Sequence, residues 1–266
     1  MSEESRLETS NKKIRVLIID DELLARKRIR QLLKDDPDFE ILSECADGQS
    51  AVTQILESRP DLVFLDIRIP DIDGFEVLQL IAPPLMPRII FIAAGDRLDR
   101  QVMEASLIDC LPKPISRAQF LIACRRVKDD IQRPLVGLTK NRVHELLDEL
   151  RKRKILAYSK WLAAHTAQGI ELVSTDEILW LEAPGSGVWL HTEQRFCVVQ
   201  SSLDEAEKIL DPAKFVRISP HALVSIQAIQ RIQHGGEKRL VIVLRDSTKL
   251  EVSASYAKKV IKRLHP

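Results

Sequence analysis

The run Leu62-Val63-Phe64-Leu65 ends abruptly in a carboxylate, Asp66. It then passes through Ile67-Arg68-Ile69-Pro70 into the turn Asp71-Ile72-Asp73-Gly74. Consecutive apolar residues bounded by turn formers are the pattern of a strand covered on both faces, as in a parallel sheet. Parallel neighbours need long crossovers, usually helical, and helical spacings flank this run on both sides. An Asp at the carboxyl end of such a strand lies where open α/β sheets place their chemistry.

The pattern repeats along residues 12–132. Apolar runs at Ile14–Ile19, Phe39–Leu42, Leu62–Leu65, Arg88–Ala93 and Ile108–Leu111 predict five strands. Between them, Leu23, Leu24, Ile29, Leu32 and Leu33 follow helical spacing, as do Ala51, Val52, Ile55 and Leu56. Phe75, Val77, Leu78 and Ile81 predict a third helix closed by Pro83-Pro84, and a weaker pattern covers Leu98 to Leu107. Ser116 is placed to cap a last helix reaching about Asp130. Five strand–helix repeats predict a doubly wound parallel sheet with helices on both faces.

Three strand ends carry charge: Asp20-Asp21-Glu22 after the first, Asp66 after the third, and Lys113-Pro114 after the fifth. The carboxyl ends of parallel strands converge on one edge, which predicts that Asp20, Asp21 and Asp66 lie close together. Like charges at that distance repel, and a hard divalent cation relieves the repulsion. This ordered set resembles the receiver domain of two-component response regulators. The resemblance implies that Asp21 and Asp66 ligate Mg²⁺ with the backbone carbonyl of Arg68, while Asp20 acts through water. It implies that Asp66 takes a phosphoryl group from a sensor histidine kinase and that Lys113 offsets its charge. Lys113-Pro114 resembles the family's cis-peptide corner. Two positions depart from the family. Receivers usually place Thr or Ser where this chain has Ala93, and an aromatic where it has Cys110. Those residues form the family's switch, so their loss predicts weak coupling between Asp66 and the output.

Composition sets the wider frame. With 266 residues the chain can hold two cores. No apolar run approaches a membrane span, and Met1 to Lys13 is too polar for a signal peptide. Four scattered cysteines without a CxxC pair suit a reducing cytoplasm and argue against a zinc site. Net charge is near zero, but basic runs sit at Arg151–Lys154, Lys258-Lys259 and Lys262-Arg263. Residues 133–158 read as a connector. Arg133-Pro134 ends the receiver, Thr139 is placed as a cap, and Val143, Leu146, Leu147 and Leu150 share one helical face. That stripe fits packing on its own chain or dimerisation equally. The basic run after it complements the negative end of the helix dipole, with a DNA-backbone contact as the alternative.

Residues 159–266 change character. Short strands are predicted at Ile170–Val173, Ile178–Glu182, Val188–His191, Arg195–Val199, Phe215–Ile218, Leu223–Ile226, Ile229–Ile232, Leu240–Leu244 and Lys249–Val252. Helices are predicted at Ser202–Leu210 and Ser255–Leu264, and a turn at Gly235-Gly236. This is a mainly antiparallel β domain. Asp176–Ala183, Ser202–Ala206, Phe215–Ser219 with Leu223-Val224, and Asp246–Ser253 resemble the LytTR-type DNA-binding domain of LytR/AlgR-like regulators. The resemblance implies a homodimer on DNA repeats. Its contact positions diverge: Ser219-Pro220-His221, Ser225, and Ala254-Ser255 stand where the family usually carries His or Arg, Asn, and Arg. Arg reading guanine is the commonest specific base contact, and that Arg is missing. His191, Arg217, His221, Ser255, Lys258 and Lys259 are the candidate DNA contacts. Fold resemblance thus supports a transcription regulator phosphorylated on Asp66. The alternative is a regulator whose β domain engages a protein partner or itself. No second catalytic constellation suggests a further enzyme.

Overall fold

The structure, a computed structural model, describes residues 12–94, 109–132, 143, 145–150, 157–185, 187–234 and 240–264. The chain divides into two compact units.

The first unit is built on β1 (Ile14–Ile19), β2 (Phe39–Cys45), β3 (Leu62–Asp66), β4 (Arg88–Ala93) and β5 (Asp109–Pro112). They form one parallel sheet in the order β2-β1-β3-β4-β5. Every residue of β3 is buried, as its unbroken apolar run requires. Helices α1 (Leu23–Leu33), α2 (Gly48–Ser58) and α3 (Gly74–Gln79) follow the first three strands, and Arg117–Gln132 forms the last helix of the sheet. Asp47 caps α2 by accepting from the Ser50 amide at 2.7 Å. Ser116 accepts from the Gln119 amide at 3.2 Å at the start of the last helix. Phe64 of β3 stacks on Phe120 of that helix with centroids 5.3 Å apart, pinning it to the sheet. β2 runs three residues beyond the expected Leu42, because a register shift between Val16 and Leu17 lets Ser43–Cys45 keep pairing with β1. The expected helix over residues 98–107 lies outside the described residues.

In the connector, residue 143 and residues 145–150 are helical, and Val143, Leu146, Leu147 and Leu150 are all buried. The Arg133-Pro134 break, the Thr139 cap and the basic run 151–154 lie outside the described residues.

The second unit holds two antiparallel sheets. The larger has the order β11-β12-β8-β9-β10-β6-β7, with β6 Trp161–Thr166, β7 Gly169–Ser174, β8 Trp180–Gly185, β9 Gly187–His191, β10 Phe196–Val199, β11 Phe215–Ser219 and β12 Ala222–Ser225. The smaller is β13 (Ile229–His234), β14 (Leu240–Leu244) and β15 (Lys249–Val252). The helix Leu203–Ile209 begins with a reciprocal capping box between Ser202 and Glu205. Its Leu203 and Ala206 join Leu181, Leu190 and Leu223 in one core. The C-terminal helix Ala254–Leu264 buries Val260 against a second core with Ile218, Ile242 and Leu244. The sequence reading missed β6, which pairs with β7 over its whole length. It also began β8 two residues early, at Ile178: a 3₁₀ turn at Thr175–Glu177, capped by Ser174, precedes the strand, which starts at Trp180. The Gly235-Gly236 turn lies outside the described residues, but β13 and β14 pair antiparallel on either side of it. Among the described residues, no helix is long and apolar enough to cross a membrane.

Candidate functional site

At the carboxyl edge of the parallel sheet, β1, β3 and β5 deliver their terminal charges to one place. Asp20 is fully buried and Asp66 is 2% exposed, while Asp21 and Glu22 face solvent. One carboxylate oxygen of each of these four residues lies within 4.8 Å of the others. The Lys113 amide donates to the Ala93 carbonyl at 2.8 Å, and the Lys113–Pro114 peptide is cis. Lys113 Nζ donates to Asp66 Oδ2 at 2.6 Å, to Glu22 Oε1 at 2.6 Å and to Asp20 Oδ1 at 3.2 Å. Asp66 Oδ1 accepts from the Arg68 amide at 2.8 Å, and Asp20 Oδ1 from the Glu22 amide at 2.9 Å. Sequence analysis did not assign Glu22 this contact. Its place directly after Asp20-Asp21 was the available signal.

The loop after β3 is tightly folded over this edge. A Cβ on Gly74 would lie 2.6 Å from the Asp66 carbonyl oxygen, and one on Gly48 would lie 2.2 Å from the Ile72 carbonyl oxygen. Backbone packs where side chains would stand, so these two positions need glycine whatever their φ.

The site is electrostatically frustrated. Four carboxylates face one ammonium. Burial pushes the Asp20 carboxyl up to about 6, and the nearby Asp66 charge adds to it against the Glu22 amide and Lys113. Burial likewise raises Asp66, opposed by the hydrogen bonds from Lys113 and the Arg68 amide. Burial disfavours the Lys113 charge, but its bonds to Asp66 and Glu22 outweigh that and raise its pKa. Asp20 Oδ2 lies 3.2 Å from Lys113 Nζ yet accepts no hydrogen bond, although it is buried. A buried carboxylate oxygen without a donor, within reach of three more carboxylates, is a donor set that suits a hard divalent cation with its waters.

Ala93 and Cys110, read from the sequence as degenerate switch positions, lie on the two strands at the β4–β5 edge. Ala93 is fully buried at the end of β4, opposite Pro112, and Cys110 is half-buried opposite Phe91. Neither brings a hydroxyl or a ring to this edge.

In the second unit the candidate DNA contacts separate into two groups. His221, Ser255, Lys258 and Lys259 are exposed. His191 and Arg217 are not available in the way expected. The His191 ring stacks on Trp180 with centroids 4.0 Å apart, and its Nε2 lies 3.0 Å from Glu182 Oε1. Arg217 is 7% exposed, and its Nη1 donates to Asp204 and Glu207 at 2.9 Å each. A guanidinium engaged in this way belongs to the framework of the domain rather than to its open surface. Ser225, read as a divergent contact position, is also buried.

A parallel receiver-type sheet with acids and a lysine on one edge, joined to a β-rich unit with a basic terminal helix, defines a signalling regulator. Residues 16–125 match the response regulator receiver domain family, and residues 168–265 match the LytTr DNA-binding domain family. An uncharacterised response regulatory protein of Vibrio cholerae is 30% identical over 232 residues, covering 84% of this chain and 88% of its own. Sensory transduction protein LytT of Bacillus subtilis is 29% identical over 255 residues, covering 95% and 99%. Transcriptional regulatory protein BtsR of Salmonella typhi is 28% identical over 246 residues, covering 92% and 96%. The chain belongs to the response regulators that carry a LytTR DNA-binding domain behind a receiver.

Proposed function

We propose that Asp66 is the phosphoacceptor of this regulator and that a sensor histidine kinase supplies the phosphoryl group. The observation that carries this is the convergence of Asp66, Lys113 and the buried acid pair on one sheet edge. Asp66 is ionised when Lys113 is bound to it, and a carboxylate attacks phosphorus without a general base. The phosphorus–nitrogen bond of the donor phosphohistidine breaks as the Asp66 Oδ–phosphorus bond forms, and the imidazole nitrogen keeps the electron pair. Lys113 stays beside Asp66 and offsets the charge on the transferred group. Asp21, Asp66 and the Arg68 carbonyl would hold Mg²⁺, with Asp20 acting through water. Bound Mg²⁺ supplies positive charge to the phosphoryl oxygens.

The output is transcriptional, through DNA bound by a homodimer of the LytTR domain. His221, Ser255, Lys258 and Lys259 are the remaining contact candidates. Exposed lysines meet phosphates, which position a protein without reading sequence. Without a hydroxyl at Ala93 or a ring at Cys110, phosphorylation couples weakly to that output.

A second reading draws on one surface feature. Trp189 (37% exposed) and Phe196 (58% exposed) stack in the open on the β9–β10 pair, with centroids 5.2 Å apart. Large exposed aromatics of this kind mark protein contacts. In that reading the β domain engages a protein rather than DNA.

The phosphoacceptor assignment is tested by incubating the full-length chain with acetyl phosphate and Mg²⁺ and measuring its intact mass. One added phosphoryl group that is absent in Asp66→Asn is expected. Equal labelling of Asp66→Asn would overturn the assignment.

A further inference from the structure

Arg217 stands in the middle of β11, between the buried Val216 and Ile218. Strand alternation sends its side chain to the opposite face from theirs. There it meets little solvent: the side chain is 8% exposed. Four hydrogen bonds account for it. Nη1 donates to Asp204 Oδ1 and Glu207 Oε2, both at 2.9 Å, on the helix Leu203–Ile209. Nε donates to the Ser219 carbonyl at 2.8 Å, and Nη2 donates to the Pro220 carbonyl. The β11–β12 register slips between Arg217 and Ser219, which curls the strand end back over its own guanidinium.

Two consecutive carbonyls of the β11–β12 turn are therefore held by one rigid planar fork. The turn is tied from other sides too. The His221 amide donates to Ser219 Oγ at 3.1 Å, the Ala183 amide to the His221 carbonyl at 2.9 Å, and the Ser253 amide to the Ile218 carbonyl at 3.0 Å. Ser253 directly precedes the C-terminal helix that carries Ser255, Lys258 and Lys259. The same guanidinium also neutralises Asp204 and Glu207 on the helix Leu203–Ile209. Glu207, which Arg217 binds, lies 3.6 Å from Lys259 Nζ.

We infer that Arg217 is a positioning residue for DNA binding: it fixes the 219–221 turn that presents His221, without touching DNA itself. This rests on the reading of the second unit as the DNA-binding domain. Loss of one well-placed contact set typically weakens a protein–DNA complex by roughly tenfold or more. The distinguishing signature is the salt dependence. Each phosphate neutralised adds about 0.9 to the slope of log affinity against log salt, so a residue acting through others changes affinity and leaves the slope alone.

The test uses the full-length protein and, as probe, the duplex fraction that the wild-type chain retains from sheared genomic DNA of the organism that encodes it. Arg217→Lys is expected to bind about tenfold more weakly with an unchanged salt slope. Amide hydrogen exchange is expected to speed up over residues 218–222 while β14 stays protected. Arg217→Met combined with Asp204→Asn keeps the net charge and removes one of the two acids Arg217 neutralises, while Glu207 keeps Lys259. It is expected to give the same loss of affinity and the same exchange pattern, which serves if the lysine variant folds poorly. A slope reduced by about one in the Arg217→Met, Asp204→Asn protein would make Arg217 a direct phosphate contact and overturn the inference. Unchanged affinity in both variants would overturn it as well. If the wild-type chain retains no DNA, the DNA reading of the domain falls first and the inference falls with it.

Discussion

Replacing Asp20 with Asn removes one buried charge from a cluster of four carboxylates while keeping an acceptor for the Glu22 amide and Lys113. The Asp20 carboxyl is raised from 3.8 to about 6, chiefly by burial. A raised carboxyl favours the folded state while it is protonated. That contribution is fully present below about pH 4 and is lost as pH rises through 6. Two pKa units correspond to about 3 kcal/mol. The side chain is fully buried, so solvent does not screen the effect. Asn has no such titration. In metal-free buffer the stability of Asp20→Asn relative to wild type should therefore rise by about 3 kcal/mol between pH 4 and pH 7. Calorimetry with EDTA present, across that range, reads it in the transition that Mg²⁺ shifts; about 3 kcal/mol corresponds to roughly 10 °C for a domain of this size. Mg²⁺ should then stabilise wild type more than the variant, since binding to the folded state adds stability that grows with the logarithm of affinity. A pH-independent difference between the two proteins, or an Asn variant that is less stable at pH 7 without metal, would refute the electrostatic account of this site.

Gly74→Ala places a Cβ 2.6 Å from the Asp66 carbonyl oxygen, against backbone that cannot yield; a loss of about 2 kcal/mol or more is expected in urea unfolding, with slower acetyl phosphate labelling. Lys113→Met leaves buried acids without their cation, so its stability at pH 7.5 should fall by about 3 kcal/mol and depend more steeply on Mg²⁺ than that of wild type. Ala93→Thr restores a hydroxyl at the fully buried end of β4; it should cost about 1 kcal/mol by overpacking and enlarge the effect of beryllofluoride on DNA affinity. Phe196→Ser removes an exposed ring, so stability should shift by less than about 1 kcal/mol, and any loss of self-association seen by light scattering would assign that face to a partner copy.

The receiver half was legible because its signals are local and redundant. The buried runs of β1, β3 and β4 leave no polar face to misread, and charge at a strand terminus has one place to go in a parallel sheet. Glu22 was less legible, since its link to Lys113 spans 91 residues and depends on β5 lying across the sheet. In the second half, β6 was missed because Ala163 and Ala164 blur the period-two pattern of Trp161–Thr166. Arg217 and His191 were misread for a shared reason. Alternation marks both as pointing away from the core, but whether that face is open depends on what covers it. Asp204 and Glu207 arrive on a separate helix, and Trp180 arrives from the neighbouring strand, directly opposite His191. Those are tertiary facts, and no spacing within the strand encodes them.

The central claim is that this chain binds DNA as a response regulator while its switch positions transmit Asp66 occupancy weakly. The most direct measurement is binding of the full-length protein to a pool of genomic DNA fragments, with and without Mg²⁺ and beryllofluoride. The account predicts clear enrichment of a subset of fragments, with affinities that change less than about tenfold when the mimic occupies Asp66, a coupling of less than about 1.4 kcal/mol. Enrichment that depends strongly on the mimic would contradict the weak coupling assigned to Ala93 and Cys110. No enrichment in either condition would contradict the DNA-binding role itself and turn attention to the exposed Trp189–Phe196 face.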